Sequence, residues 1–144
     1  MSGIEEMERI DVDRVRSYPP RTSEFTQPFW EALAAGRLQT TRCAACGALS
    51  FPPKPVCPHC WHGEVRWTPL QPLGRLYSWT RVHAGPEMFA AELPYEVGIV
   101  DLDAGLRLAL RLVAVPGREF APDMPVRLVV LRFRDGPLLA AMLR

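Results

Sequence analysis

All four cysteines of the chain lie within residues 43–60, which read CAACGALSFPPKPVCPHC. They form two CxxC pairs, Cys43 with Cys46 and Cys57 with Cys60, and ten residues separate the pairs. Two such knuckles let four thiolates converge at the corners of a tetrahedron, which is the geometry of a structural zinc site. Because four sulfur ligands leave no coordination position for water, we expect the zinc to hold the fold and not to catalyse hydrolysis.

Two other roles for this segment are weaker. His59 and His62 flank Cys60, but four sulfurs already complete a zinc shell, so we expect both histidines to be exposed loop residues. A redox-active CxxC normally occurs once, before a helix of an α/β protein. The presence of two pairs therefore favours metal binding.

Length, composition and charge bound the function. A chain of 144 residues, 48% hydrophobic and 23% charged, predicts one compact domain or two very small ones. Its apolar runs, such as 128–131, are too short to cross a bilayer, and the acidic start does not resemble a secretory signal. We therefore expect a cytoplasmic protein with reduced cysteines. The formal net charge of +1, with acids and bases interspersed, argues against a dedicated polyanion binder.

The chain divides into four segments. Residues 1–22 carry little hydrophobic pattern and are predicted to form a mobile or partner-bound tail. Residues 23–40 contain a short helix, with Pro28 in its first turn, Gly36 at its end and an apolar side that includes Phe29 and Leu33. Residues 41–68 form the zinc ribbon, and residues 69–144 form a β domain.

The β domain is predicted to contain five strands without a long helix. The strands are 75–83, 95–102, 106–115, 126–133 and 138–143, with turns at 103–105 and 135–136. This pattern suits a small closed barrel of the OB type, and a sandwich is the alternative. Strict alternation in the first strand places Leu76, Ser78, Thr80 and Val82 on one face and Tyr77, Trp79, Arg81 and His83 on the other.

The second of these faces is the candidate ligand surface. Its aromatic and arginine side chains suit the adenine, pantetheine and phosphates of coenzyme A, or the bases and phosphates of single-stranded nucleic acid. A third interpretation is that the aromatic rings fill the core or contact the ribbon. Met88 and Phe89, in the next loop, would line an acyl or pantetheine channel or pack on a partner. Acidic residues border these loops, which disfavours nucleic acid.

The sequence contains no recognisable catalytic constellation. The cysteines are assigned to metal, and neither a Ser-His-Asp nor a Cys-His arrangement nor a carboxylate pair stands out. His83 is the one candidate acid or base outside the ribbon, and a lone strand histidine is more often a packed or surface residue.

Five motifs in order resemble a known family. They are PFWE at 28–31, RCAACG at 42–47, FPPKPVCPHC at 51–60, GRLYSWT at 74–80 and DMPV at 123–126. Together they resemble the zinc-ribbon plus OB-fold proteins associated with acyl-coenzyme A metabolism, long catalogued as a domain of unknown function. The resemblance runs from about Phe25 to the C-terminus.

The resemblance implies both a fold and a role. The implied fold is mostly β, with an N-terminal helical hairpin, a rubredoxin-like zinc ribbon and a five-stranded OB barrel. Members accompany thiolase-superfamily enzymes or hot-dog hydratases and help form the acyl-CoA site at the subunit interface. The chain would then be a non-catalytic accessory subunit, in lipid metabolism, of a complex that transfers acyl groups or that forms or cleaves carbon–carbon bonds. It would bind structural Zn²⁺, share an acyl-CoA site in a hetero-oligomer, and contact the enzyme through Phe29 and Trp30.

Overall fold

A computed structural model describes residues 3–144 of the chain. One short α-helix and a three-stranded ribbon precede the barrel, and one short strand precedes the helix. The elements are β1 Arg9–Asp11, α1 Gln27–Ala34, β2 Gln39–Cys43, β3 Leu49–Ser50, β4 Val65–Pro69, β5 Leu73–Val82, a 3₁₀ helix Glu87–Glu92, β6 Tyr95–Leu102, β7 Arg107–Val113, β8 Pro125–Phe133 and β9 Gly136–Leu143. No helix within residues 3–144 is long and apolar enough to cross a membrane.

Strands β5 to β9 close into a barrel. The order around the barrel is β5-β6-β7-β9-β8, and β8 pairs back with β5. Only the β7–β9 pairing within this barrel is parallel. A closed five-stranded barrel of this kind is an OB-fold, so the predicted OB barrel is confirmed and the sandwich alternative is wrong.

The barrel core consists of side chains that alternate along each strand. On β6, for example, Gly98, Val100 and Leu102 are buried, and Ile99 and Asp101 between them are only partly buried. Inward residues of the other strands complete the same cluster; they include Leu76, Leu108, Leu110, Leu112, Val126, Leu128, Val130, Ala141 and Leu143. The alternation of apolar residues along these strands therefore predicts which side chains point into the barrel.

Helix α1 closes one side of this core. Before it, the Ser23 amide donates to Thr26 Oγ1 at 2.9 Å and the Thr26 amide to Ser23 Oγ at 3.1 Å. After it, Gly36 has a φ of +82°, which favours glycine at a helix end. Phe29 and Leu33 are buried in the barrel cluster. Residues 24–26 form only a turn before α1, so the implied helical hairpin is corrected to a single helix.

Part of residues 1–22, predicted from the sequence to form a mobile or partner-bound tail, pairs with the barrel. Residues 9–11 run parallel to β8, where Ile10 lies opposite Leu131, and the Met7 side chain is 3% exposed. The physical reason is that β5 pairs with β8 only at residues 73–75, which leaves an open strand edge that β1 fills. We call residues 7–18 the N-terminal strap.

The strap also covers an outer wall of the barrel. Ile10 and Val12 pack against a second apolar cluster on the outward face of β8 and β9. The buried members of this cluster are Val129, Leu131, Phe133 and Ala140. The strap therefore hides apolar surface that the barrel alone would expose to water.

Candidate zinc centre and barrel groove

The ribbon sheet positions the first CxxC pair. Cys43 ends β2, opposite Val65 on β4, and the Gly47 amide donates to the Cys43 carbonyl at 3.1 Å. Gly47 has a φ of +77°, so this knuckle needs a residue without a Cβ. The second knuckle closes in the same way, because the Trp61 amide donates to the Cys57 carbonyl at 2.8 Å.

The four sulfur atoms fit a zinc ion. All four lie within 4.8 Å of one another; the Sγ atoms of Cys43 and Cys60 are 3.5 Å apart, and those of Cys46 and Cys57 are 3.7 Å apart. Zinc–sulfur bonds of about 2.3 Å in a regular tetrahedron require sulfur atoms about 3.8 Å apart. The residues present therefore match the predicted four-cysteine site.

Main-chain amides stabilise thiolate at this site. The amides of Ala45 and Cys46 point at Cys43 Sγ, at 3.3 and 3.4 Å, and the His59 amide lies 3.4 Å from Cys57 Sγ. Amide donation, first from Cys46, lowers the pKa of Cys43 to about 6.

Crowding of the sulfur atoms has the opposite effect on Cys60, the last ligand, because it raises the pKa of that thiol. The His62 amide favours the thiolate of Cys60, but contact with Cys43 and burial outweigh it and raise the pKa of Cys60 to about 12. Four thiolates this close repel one another, and a divalent cation removes that repulsion. The side chains of His59 and His62 are exposed and lie outside the sulfur cluster, as predicted.

A β-bulge divides the candidate ligand surface. Leu76 pairs with Val100, but Ser78 pairs with Ile99, so Tyr77 is an extra residue on β5. Beyond the bulge, Trp79 lies opposite Gly98, which is on the same side of β6 as the buried Val100. The predicted strict alternation is therefore wrong, because the bulge turns Trp79 and Arg81 to the inner side and leaves Tyr77 outside.

Trp79, Arg81 and His83 meet at one open groove, which we call the barrel groove. Its volume is about 540 Å³, and Arg118 and Phe120 complete its wall. The rings of Trp79 and Phe120 lie 5.7 Å apart at 52°. Arg81 pairs with Glu96 at 2.9 Å, and Arg118 Nη1 donates to the main-chain oxygen of Arg144 at 2.6 Å. Sequence reasoning missed Arg118 and Phe120, because they lie on the β7–β8 loop, which has no periodic pattern.

The other candidate ligand residues lie elsewhere. Tyr77 stacks under the Arg107 guanidinium at 3.9 Å, and it lines a separate groove of about 310 Å³. Met88 is 53% exposed on the 3₁₀ helix. Phe89 is half-buried, 6.1 Å from the Tyr95 ring, at a cavity of about 450 Å³ beside the strap. The six predicted residues are therefore distributed over three places.

Phe29 does not form a partner surface. It is 5% exposed, with the ring of Trp30 at 4.9 Å and the ring of Phe51 at 5.7 Å. The prediction for Phe29 is wrong because the helix turns this ring into its own core, and Trp30 is half-buried beside it. Sequence reasoning missed Trp61, which is 78% exposed on the second zinc knuckle.

The arginines of the barrel wall do not form a free basic stripe. Arg81 pairs with Glu96 at 2.9 Å, Arg107 with Asp101 at 2.6 Å and Arg111 with Glu92 at 2.6 Å. Single-stranded nucleic acid requires a groove with surplus positive charge along the backbone path. The observed pairing does not favour that rival function.

Family comparisons agree with this architecture. Residues 30–66 match the family model described as "ChsH2, rubredoxin-like zinc ribbon domain", and residues 67–132 match "ChsH2, C-terminal OB-fold domain". The benzoylsuccinyl-CoA thiolase subunit BbsA of Thauera aromatica is 37% identical over 119 residues, which cover 81% of each chain. The chain belongs to the ChsH2 zinc-ribbon and OB-fold family. The resemblance predicted from the five motifs is thereby confirmed.

A longer hydratase subunit and a solved structure of similar length also resemble this chain. A probable enoyl-CoA hydratase alpha subunit of Thermomonospora curvata is 41% identical over 101 residues, which span 68% of this chain and 31% of that protein. This chain thus corresponds to less than a third of that relative. A solved structure named "Ltp2-ChsH2(DUF35) aldolase" superposes with a TM-score of 0.74 at 32% identity, covering 87% of this chain and 98% of the other.

Proposed function

We propose that this chain is a non-catalytic accessory subunit that binds a thiolase-superfamily enzyme, or a hydratase, and helps form its acyl-CoA site. The observation that carries the proposal is the match over 81% of both chains to a protein named as a thiolase subunit. The names of the hydratase alpha subunit and the ChsH2 aldolase structure support the same class of role. The zinc would fix the ribbon and take no part in chemistry.

The barrel groove is the part of the chain that suits coenzyme A. Its volume of about 540 Å³ lies within the range of roughly 300–1,000 Å³ for small-molecule sites. Trp79 supplies a flat ring for adenine, and the Arg118 guanidinium, which also donates to the main-chain oxygen of Arg144, supplies a contact for phosphate. Because the groove is open on one side, a partner enzyme would complete it.

The thiol chemistry supports a cytoplasmic location for this subunit. All four cysteines are free and sit at metal-binding distances, which requires them to remain reduced. We therefore propose that the complex is cytoplasmic.

Complex formation is the first test. The chain is expressed alone and together with a thiolase-like or hydratase enzyme encoded beside it, and each sample is run on size-exclusion chromatography with zinc present. We expect the two proteins to co-elute at a defined stoichiometry. A chain that elutes alone with every such enzyme would contradict the proposal, and salt-dependent retention of a single-stranded oligonucleotide would favour the rival function.

The groove is tested by substitution within that complex. Trp79→Ala and Arg118→Ala should each weaken coenzyme A binding about tenfold by calorimetry, because each removes one stacking or charge-assisted contact. Arg75→Ala is the matched control, since Arg75 is an exposed arginine on the same strand that lines a different groove. Equal affinities for all three variants and the wild type would remove the groove from the proposed site.

A further inference from the structure

Glu92 is the most buried carboxylate among the ion pairs of residues 3–144. Its side chain is 5% exposed, and Oε1 accepts from Arg111 Nη1 at 2.6 Å and from Arg14 Nη2 at 3.1 Å. Its other oxygen accepts from the Ser17 hydroxyl. One carboxylate therefore joins the 3₁₀ helix to both the N-terminal strap and strand β7.

The 3₁₀ helix has few other means of attachment. Apart from the Glu92 carboxylate, no side chain of this helix is buried, and its one large aromatic residue, Phe89, is only half-buried. Phe89 lies 6.1 Å from Tyr95, and the Arg111 guanidinium covers that same Tyr95 ring at 4.0 Å. The position of this helix thus depends on the Glu92 cluster and on one aromatic stack that shares Arg111 with it.

The neighbouring cavity does not explain the cluster as a ligand site. The cavity of about 450 Å³ is lined by Ser17, Glu92 and Arg111 among apolar side chains. These three polar groups are already bonded to one another, so the cluster offers a ligand no unpaired carboxylate. A buried ion pair of this kind is expensive to break, because removing one partner leaves the other charge without compensation.

We propose that Glu92 is a positioning residue that ties the 3₁₀ helix to the strap, so that Met88 is presented to the partner enzyme. The Met88 residue is 53% exposed, and a methionine adapts well to an apolar partner surface. The inference rests on the proposed function as an accessory subunit. It also gives the strap a role, because Arg14 and Ser17 supply two of the three bonds to Glu92.

Hydrogen exchange on the zinc-loaded chain alone tests the positioning. In Glu92→Gln, amides of residues 87–93 and 14–18 should exchange about tenfold faster, while residues 43–60 stay unchanged. Asp101→Asn is the matched control, because it removes an exposed carboxylate paired with Arg107 on the same wall and should leave both segments unchanged. If Glu92→Gln does not fold, Ser17→Ala, which removes one hydrogen bond, provides the comparison. Unchanged exchange in residues 87–93 would overturn the inference.

The affinity for the partner enzyme tests the second part of the inference, the presentation of the 3₁₀ helix to that enzyme. Glu92→Gln and Met88→Ala should each weaken binding to the partner enzyme about tenfold, and only Glu92→Gln should also loosen residues 87–93. If Glu92→Gln loosens residues 87–93 but binds the partner enzyme with wild-type affinity, the inference is overturned and the proposed accessory role is unaffected. If the wild-type chain binds no such enzyme, the proposed function is overturned, and so is the presentation of Met88 to a partner. The exchange data would still decide whether Glu92 holds the 3₁₀ helix in place.

Discussion

Replacement of Phe29 by alanine separates a structural role of helix α1 from a partner-binding role. The ring is 5% exposed and sits between Trp30 and Phe51, at centroid distances of 4.9 and 5.7 Å. Truncating a buried phenylalanine costs about 3–5 kcal/mol, because transfer energy is lost and a cavity remains. Both neighbouring rings make edge-to-face contacts with Phe29, which supports a cost near the middle of that range, about 4 kcal/mol.

The assay is urea unfolding followed by circular dichroism at saturating zinc. With a slope of about 2 kcal/mol per molar for a domain of this size, a loss of about 4 kcal/mol lowers the unfolding midpoint by about 2 M. Tyr77→Ala is the control, because Tyr77 is 55% exposed and contacts Arg107 only at the surface. We expect it to cost less than about 1 kcal/mol.

The outcome distinguishes the two roles of Phe29. A midpoint shift below about 0.5 M would refute the assignment of Phe29 to the core. If the variant also lost the partner enzyme while remaining stable, the ring would have to act at the interface, as the sequence first suggested.

Three further predictions concern the barrel, the metal and the acid limit of stability. Gly74→Ala should lower the free energy of unfolding by about 3 kcal/mol and the melting temperature by about 10 °C. The reason is that a Cβ at this position would lie 2.3 Å from the Asp101 carbonyl oxygen across the β5–β6 pair. An unchanged melting temperature would contradict this close contact. Cys43→Ser should lose zinc, measured by metal analysis, and with it exchange protection at residues 43–60; a protected ribbon without metal would rule out a structural zinc. Burial alone would raise the pKa of Glu92, but bonds from Ser17 and Arg111 and the nearby arginine charges hold that pKa below its ordinary 4.5. The ionised Glu92 therefore contributes its full stabilisation above about pH 4.5, and this contribution is lost as the pH falls through the pKa that Glu92 has in the folded chain. In a plot of the urea unfolding midpoint against pH, Glu92→Gln should therefore flatten the fall at acid pH. Superimposable curves for the variant and the wild type would contradict this linkage.

Local chemistry made the ribbon and most strands predictable from sequence. Cysteine spacing determines where four sulfurs can meet, and the structure brings them to within 4.8 Å. Pro28 and Gly36 mark the ends of α1, which spans Gln27–Ala34. Strand β6 was predicted at its observed bounds, Tyr95–Leu102, because its apolar run is closed by the turn at 103–105.

The bulge at Tyr77 and the strap could not be predicted in the same way. A bulge depends on the register between two strands, and residues 75–83 by themselves predict an uninterrupted alternation. Strand β1 has three residues, and its pairing depends on an edge of β8 that appears only when the barrel closes. Both features are set by contacts between residues distant in the chain, so no short window of sequence contains them.

These two features determine which surfaces the chain leaves for a partner. The strap covers the outer wall of β8 and β9, and the bulge places Trp79 and Arg81 in the barrel groove. The connection between β5 and β6 joins the remaining surfaces, since His83 lines the groove at its start and the 3₁₀ helix carries Met88. If Glu92 anchors the far end of this connection, as proposed, a partner that contacts the 3₁₀ helix would also act on one rim of the groove. Such coupling is expected if the enzyme and the accessory subunit share one acyl-CoA site.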